Sequence, residues 1–339
     1  MGLAALLILV TGASGFIGRH LTGRLLEGGA RVRVVTRDPK RLPSEWMGRV
    51  DVVVGSLSDK GPRESAVQGV SRIFHLAGET QDPAAMQAVN AGAAGGLAQA
   101  ARAAGAARFI HLSSVGVIGA DENGDITEDA PCRPRNEYER TKLEGERAVL
   151  EFARATGFDA VVVRPTIVFG EGVTRSRDSL LEWLKALKSG RFAFIGRKAV
   201  ANYVYVGDVV EALLRLGERP SPGGEIFHVA DPAPMRKFVD AMAGALHIPS
   251  PTRVVPAWAA YAAAAAMEAA NRLFGTPVPL TLSRVRALSS ACRFTGDKLR
   301  TQAGVTLPFG YRAGLIRTVR WYGVADPESG PPDTIYPLW

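Results

Sequence analysis

The chain reads as an α/β protein: a doubly wound parallel sheet with a smaller, mostly helical lobe toward the C-terminus. Three observations point there. Short apolar runs alternate with helical patterns through the first 165 of its 339 residues. A glycine-rich turn joins the first run to the first helix. After Arg164 the alternation gives way to helical pieces separated by Gly/Pro loops. Near-continuous apolar strands imply a sheet covered on both faces, with ligands gathering beyond the strands' carboxyl ends.

In order, the expected strands are Leu6–Val10, Val32–Thr36, Val50–Gly55, Arg72–Leu76, Phe109–Ser113 and Ala160–Arg164. Helical patterns near 17–28, 62–69, 84–104 and 137–156 lie between them. Further helices are expected at 179–189, 207–217, 235–246, 257–274 and 312–322, with a Gly/Pro loop at Arg219–Gly224. Residues 1–165, with about 203–232, are expected to form the nucleotide-binding domain. About 166–202 and 233–325 are expected to form the substrate lobe. Residues 326–339 carry four prolines and are expected to run extended.

Composition narrows the function classes. At 47% hydrophobic and 22% charged the chain is globular. The net charge of +8 fits a basic soluble surface, an anionic ligand or an anionic membrane. There is no Lys/Arg run, so nucleic acid is not an expected partner. Cys132 and Cys292 are isolated and read as free thiols in a reducing compartment. The five histidines lack metal-ligand spacing, so no metal site is expected. The apolar run Leu3–Val10 leads straight into a glycine turn and reads as a strand, not a signal peptide. Ala257–Ala270, interrupted by Glu268, is too short to span a bilayer. A cytoplasmic protein is expected.

The turn ILVTGASGFIGRH places Gly12, Gly15 and Gly18 between strand and helix. Glycine permits the tight bend and lets a pyrophosphate approach the backbone and the helix N-terminus. This is the phosphate cradle of a Rossmann-type sheet, so a nicotinamide dinucleotide is the expected cofactor. Gly12, Ser14, Gly15, Phe16, Ile17 and Gly18 are its expected contacts. An NAD site usually has an acidic residue at the end of the second strand. Here Thr36 stands in that place and Arg37 follows, with Lys40 and Arg41 nearby. An arginine can grip a 2′-phosphate bidentately, which favours NADP over NAD, although Asp38 could neutralise Arg37 locally.

Residues 136–147, NEYERTKLEGER, place Tyr138 and Lys142 four apart, on one side of a helix. Glu139, Arg140, Glu144 and Arg147 are expected to form a solvated or subunit-facing surface.

Taken together, the chain resembles an extended short-chain dehydrogenase/reductase of the epimerase/dehydratase type over nearly its whole length. The matching segments are TGASGFIG (11–18), HLAG (75–78), Asn90, LSSVGVIG (112–119), YERTK (138–142), RPTIVFG (164–170) and YVYVGDVVEA (203–212). The segments 224–231 and 294–323 also match. The resemblance implies a catalytic set of Ser114, Tyr138 and Lys142, with Ser113 the alternative serine. A free tyrosine is a poor base at neutral pH; a lysine ammonium and a nicotinamide charge nearby would lower its pKa. Tyr138 would then exchange a proton with the substrate oxygen, held by Ser114, while Lys142 also holds the nicotinamide ribose. The resemblance further implies cofactor contacts from Leu76, Ala77, Gly78, Asn90, Pro165, Ile167 and Val168. Ser56, followed by Leu57, stands where family members often carry an aspartate toward adenine and could make a weaker version of that contact. Homodimers built on the helix carrying Tyr138 are common in the family.

Departures from the family pattern inform the substrate. Sugar-nucleotide members usually have Asn, Arg and Tyr where this chain has Ile167, Ala201 and Ile118. Arg175, Arg177, Arg191, Arg197 or Lys198 could still supply charge from nearby. Residues 254–281, rich in Ala, Trp, Tyr and Leu, are similar to the 3β-hydroxysteroid and sterol dehydrogenase branch. An apolar alcohol or ketone is therefore the expected substrate, with peripheral contact to a membrane surface. A sugar-nucleotide epimerase, dehydratase or reductase with tightly bound NAD is the alternative, and a non-catalytic nucleotide-binding subunit a third.

Overall fold

The computed structural model describes residues 6–119, 124–173, 179–219, 224–274 and 280–324. Arg175, Arg177 and the expected tail 326–339 lie outside them.

Seven strands form the central sheet: β1 (Leu7–Thr11), β2 (Arg31–Thr36), β3 (Val50–Val54), β4 (Arg72–His75), β5 (Arg108–Leu112), β6 (Ala160–Pro165) and β7 (Glu225–Val229). Their order is β7-β6-β5-β4-β1-β2-β3, and every neighbouring pair is parallel. The chain leaves β1 toward β2 on one side and returns as β4 on the other. That reversal opens a crevice at the carboxyl ends of β1 and β4.

The helices follow the apolar periodicity: α1 (Phe16–Glu27), α2 (Lys60–Val67), α3 (Ala93–Ala103), α4 (Glu137–Thr156), α5 (Ser179–Lys188), α6 (Val206–Glu218), α7 (Met235–Ala245), α8 (Ala257–Phe274), α9 (Leu282–Ser289) and α10 (Gly310–Val324). Strand residues alternate between faces, so β1 feeds two cores. Ile8 and Val10 pack with Leu21 and Leu25 of α1 and Val209 and Leu213 of α6. Leu9 points the other way, to Ala66 of α2, Leu97 of α3 and Val149 of α4. A third core, built on Phe169, Leu184, Tyr205, Phe238 and Leu315, joins α5, α7 and α10 and receives Phe16 and Ile17 from the glycine turn. A small fourth cluster holds α8 and α9 together through Ala260, Ala264 and Val285.

Two expectations change. The single helix read at 84–104 is broken into a short turn at Pro83–Met86, a π-helical segment at Gln87–Gly92, and α3. The wider π turn lies against α4, where a Cβ on Gly145 would come within 2.1 Å of the Asn90 carbonyl oxygen. The second change is at the sheet edge, where β7 is a strand that the periodic reading did not separate from its loops.

Candidate active site

The glycine turn closes on the end of β4. Gly12 has φ +71°, and a Cβ there would lie 2.7 Å from the Ala77 nitrogen. A Cβ on Gly18 would lie 2.1 Å from the Gly12 carbonyl oxygen. Side chains at either place would force the turn open. Gly15 caps α1 with no side-chain hydrogen bond, and the first turn of α1 has no acidic residue. A shallow backbone cradle thus meets a helix end of positive dipole without a protein anion, which fits a diphosphate. Ser14 is half-buried, its carbonyl accepting a hydrogen bond from Arg19 Nε at 3.2 Å. Phe16 stands edge-on to His20, ring centroids 5.6 Å apart.

At the end of β2, the Thr36 hydroxyl donates to the Asp38 carbonyl (2.9 Å) and accepts from its amide (3.2 Å). The Asp38 carboxylate accepts from the Lys40 amide at 3.0 Å. Arg37 is exposed at the rim. Its charge reaches Glu79 across the crevice: the Gln81 amide first, then the Asp82 and Thr80 amides and Arg37, hold that carboxyl below its usual range against a counteracting effect of burial. Ser56 Oγ accepts from the Ser58 amide at 3.2 Å, leaving its proton to donate, and Leu57 is buried beneath.

The catalytic candidates converge from β5 and α4. Ser113 is buried, its Oγ without a partner among the described residues, whereas Ser114 is half-buried at the strand mouth. Ser114 Oγ accepts from the Gly116 amide at 3.1 Å, which leaves its O–H free to donate outward. Asn136 caps α4 by accepting from the Glu139 amide (2.9 Å), and Glu139 reaches back to accept from the Arg135 amide (2.7 Å). Glu139 is therefore part of the cap and not simply solvated surface. Arg140, by contrast, stays exposed and pairs with Glu137 and Glu144.

Tyr138 is half-buried one turn before Lys142, which is only 4% exposed. Lys142 Nζ donates to the Leu112 carbonyl at the end of β5. Gly78 adjoins this corner: a Cβ there would lie 3.9 Å from that nitrogen and 3.4 Å from Asn90 Oδ1, ordinary contact distances. Asn90 itself is fully enclosed. Its Oδ1 accepts from the Glu79 amide (2.7 Å), and its Nδ2 donates to the Glu79 carbonyl (2.9 Å) and to Thr141 Oγ1 (3.0 Å). Its side chain ties the HLAG loop to α4 and is a positioning group in this arrangement.

The electrostatics differ from expectation at Tyr138. Burial first, and the Glu139 carboxylate second, raise its phenol above the ordinary value. Burial dominates in the chain by itself; the lowering expected from Lys142 together with a nicotinamide charge belongs to the cofactor complex. Lys142 is lowered to about 8 by burial, partly offset by the Glu146 carboxylate one turn further on.

Sequence reasoning missed the supports beneath. Glu146 and Arg164 form an ion pair that is 2% and 3% exposed, with Arg164 Nε on Glu146 Oε2 at 3.0 Å. His75 and His111, register partners on β4 and β5, stack with centroids 5.2 Å apart, and His75 bonds Thr11 Oγ1 at 2.8 Å. The sequence signal for His75, His111 and Arg164 was a polar residue near the end of a largely apolar strand; Glu146, on the charged helix α4, had none.

Beyond β6, Pro165 is buried within the strand pairing, Val168 is half-buried and Ile167 is 53% exposed. Ile167 lines a cavity of about 740 Å³ with Val115, Trp183, Ala201, Tyr203 and Phe294. Arg135 and Arg286 also reach its wall.

Residues 8–230 match the NAD-dependent epimerase/dehydratase family, and the chain belongs to it, within the sterol dehydrogenase-like branch of extended short-chain dehydrogenases. It is similar to a ketoreductase of Stigmatella aurantiaca acting on a 4-hydroxy-2-methyl-3-oxo-4-farnesyl-3,4-dihydroquinoline-1-oxide, 28% identical over 90% of this chain and 93% of that one. A 3β-hydroxysteroid dehydrogenase/Δ5→4-isomerase of Mycobacterium tuberculosis is 29% identical over 68% of this chain and 66% of its own. Among solved structures, MoeE5 in complex with UDP-glucose and NAD superposes with TM-score 0.67 at 25% identity, covering 93% of this chain and 98% of that one. The chain is an enzyme of the oxidoreductase type. Among the described residues no helix is long and apolar enough to cross a membrane, and no cluster of metal-ligating side chains occurs.

Proposed function

We propose that this oxidoreductase interconverts a ketone and a secondary alcohol on a largely apolar, sterol-like or other lipophilic substrate, using NADP(H) in preference to NAD(H). The observation that carries the reading is the 740 Å³ cavity at the strand ends, walled by Ile167, Ala201, Val115, Tyr203 and Phe294. Pockets of this size enclose a drug-sized apolar molecule and orient it with few polar groups. The glycine cradle, Arg37, Gly78, Lys142 and the Pro165–Val168 segment would hold the dinucleotide. When bound, the nicotinamide supplies or takes up the hydride.

The chain's own residues do the rest. Ser114 spends a lone pair on the Gly116 amide and donates its proton to the substrate oxygen. Tyr138, kept neutral by burial, is poised as a general acid giving its Oη proton to a developing alkoxide. That protonation state favours ketone reduction. Lys142, anchored on Leu112 one helical turn from Tyr138, would supply the cation that stabilises the phenolate left behind.

Arg135 and Arg286 on the cavity wall support a second reading, a sugar-nucleotide substrate whose diphosphate they would neutralise. Two measurements separate the readings. Mass spectrometry of gently purified protein and a panel of lipophilic ketones and nucleotide sugars with NADPH would find exchangeable cofactor and turnover of the ketones alone. Tightly retained NAD with turnover of a nucleotide sugar would overturn the first reading.

A further inference from the structure

Helix α8 has an unusual outward face. Ala260 and Ala264 are buried and Ala257, Tyr261 and Glu268 half-buried, so its inner stripe is satisfied by α9 and the lobe. Through its first three turns and beyond, the exposed positions are Trp258, Ala262, Ala263, Ala265, Ala266, Met267 and Ala269, none of them charged or polar; exposed Asn271 and Arg272 follow only in the last turn. Trp258 is 76% exposed, the most exposed large apolar side chain among the described residues. A helix at a water surface normally turns charges outward, so this face is built for a non-aqueous neighbour. Val254 just before α8 and Leu282 at the start of α9 extend the apolar patch.

Its rim has one sign. Residues 252–290 contain four arginines, Arg253, Arg272, Arg284 and Arg286, all exposed, and a single acidic residue, Glu268. Glu268 faces inward, where it accepts from the Leu282 amide at 2.9 Å. An apolar strip with an inserted tryptophan and an arginine border complements an anionic lipid surface. Beneath the patch, a cavity of about 360 Å³ lined by Val254, Thr252 and Ile195 shares Met235 and Leu288 with the cavity at the strand ends.

We infer that α8 and α9 dock the enzyme, in the plane of the interface, on an anionic lipid bilayer. Docking brings the two adjoining cavities against the lipid phase. Resting on the reading of a lipophilic substrate, this gives that substrate a route into the site without crossing water.

The test is flotation of the full-length protein with vesicles of phosphatidylcholine alone or with 30% phosphatidylglycerol, beside light scattering for oligomeric state. Wild type should bind the anionic vesicles about tenfold or more tightly than the neutral ones, and less at raised salt. Trp258→Glu should lose most binding, and Arg272→Glu with Arg284→Glu about tenfold each. Turnover of a short, water-soluble ketone should be unchanged in all three. Equal binding of wild type and Trp258→Glu to anionic vesicles would overturn the inference. So would a wild-type dimer that Trp258→Glu dissociates, since the face would then belong to a second copy. Vesicle binding is read without turnover, so an inactive ketone panel would refute the substrate reading and leave docking standing.

Discussion

Replacing Glu146 by Gln perturbs stability and catalysis through one carboxylate. In the wild type it compensates the guanidinium of Arg164, which also reaches the Glu128 carbonyl and Cys132 Sγ, each at 3.4 Å. Both partners are almost wholly excluded from water. Glutamine preserves the shape and one acceptor but leaves the guanidinium charge unbalanced, and breaking a buried pair in this way costs ~3–5 kcal/mol. For a chain of this size that corresponds to a fall in the thermal midpoint of about 4–7 °C. The same carboxylate raises Lys142 against the larger lowering by burial, to about 8. Its removal should drop Lys142 below 8, so that the ammonium loses its proton nearer neutrality. The alkaline fall in kcat/KM for ketone reduction should move to lower pH in step. Thermal scans and a pH–rate profile from 6 to 10 read both effects. An unchanged midpoint would refute the buried pair's role, and a lost midpoint with an unmoved alkaline limb would refute the coupling to Lys142.

Arg37→Ala should weaken NADP binding by about tenfold or more while altering NAD binding little, as removal of one phosphate-pairing charge requires; equal losses in titrations of both would remove Arg37 from that role. Gly18→Ala should abolish cofactor binding, because its Cβ would meet the Gly12 carbonyl at 2.1 Å; retained fluorescence quenching by NADPH would contradict the tight turn. Acid should destabilise the fold. His20, His75 and His228 are lowered by burial to about 4, 3 and 3, so their stabilising contribution is complete above pH 6.5 and is lost as pH falls toward those values. Asp208, raised to about 6 by burial, works oppositely: its contribution is present below 3.8 and lost as pH rises through 6. Burial also lowers His111 and raises Asp231 and Glu171 in the sense of Asp208; the histidine shifts are the larger, so the thermal midpoint should decline steadily between pH 6.5 and 4, and a flat profile would contradict the neutral burial of the histidines.

The sheet was legible because its strands are buried on both faces, which writes them as unbroken apolar runs at Leu7–Val10 and Ala160–Val163. The glycines were legible because a backbone approach of under 3 Å excludes every other residue at Gly12 and Gly18. Tyr138 and Lys142 share a helix, so their spacing survives in one dimension. What sequence could not supply was protonation and partnership across long separations. Glu146 looked like one more charge on α4, because its partner Arg164 is eighteen positions away on β6. Asn90 matched a cofactor contact by position, yet its amide is taken up by Glu79 and Thr141. Tyr138 was expected to be acidified by a lysine and a nicotinamide charge together; in the chain by itself burial, which no spacing encodes, raises it. The break in the helix at 87–92 escaped notice because a π turn changes the winding without changing the composition. The α8 face was visible as an alanine tract; its exposure depends on which side α9 covers.

In the proposed function Tyr138 transfers the proton in an alcohol–ketone exchange. The most direct test of this transfer pairs single-turnover NADPH oxidation with cofactor binding in the wild type and Tyr138→Phe, using a lipophilic ketone that the wild type reduces. The Tyr138→Phe rate should be lower by about 10²–10⁴-fold with the NADPH dissociation constant unchanged. Phenylalanine at position 138 with wild-type turnover would contradict it.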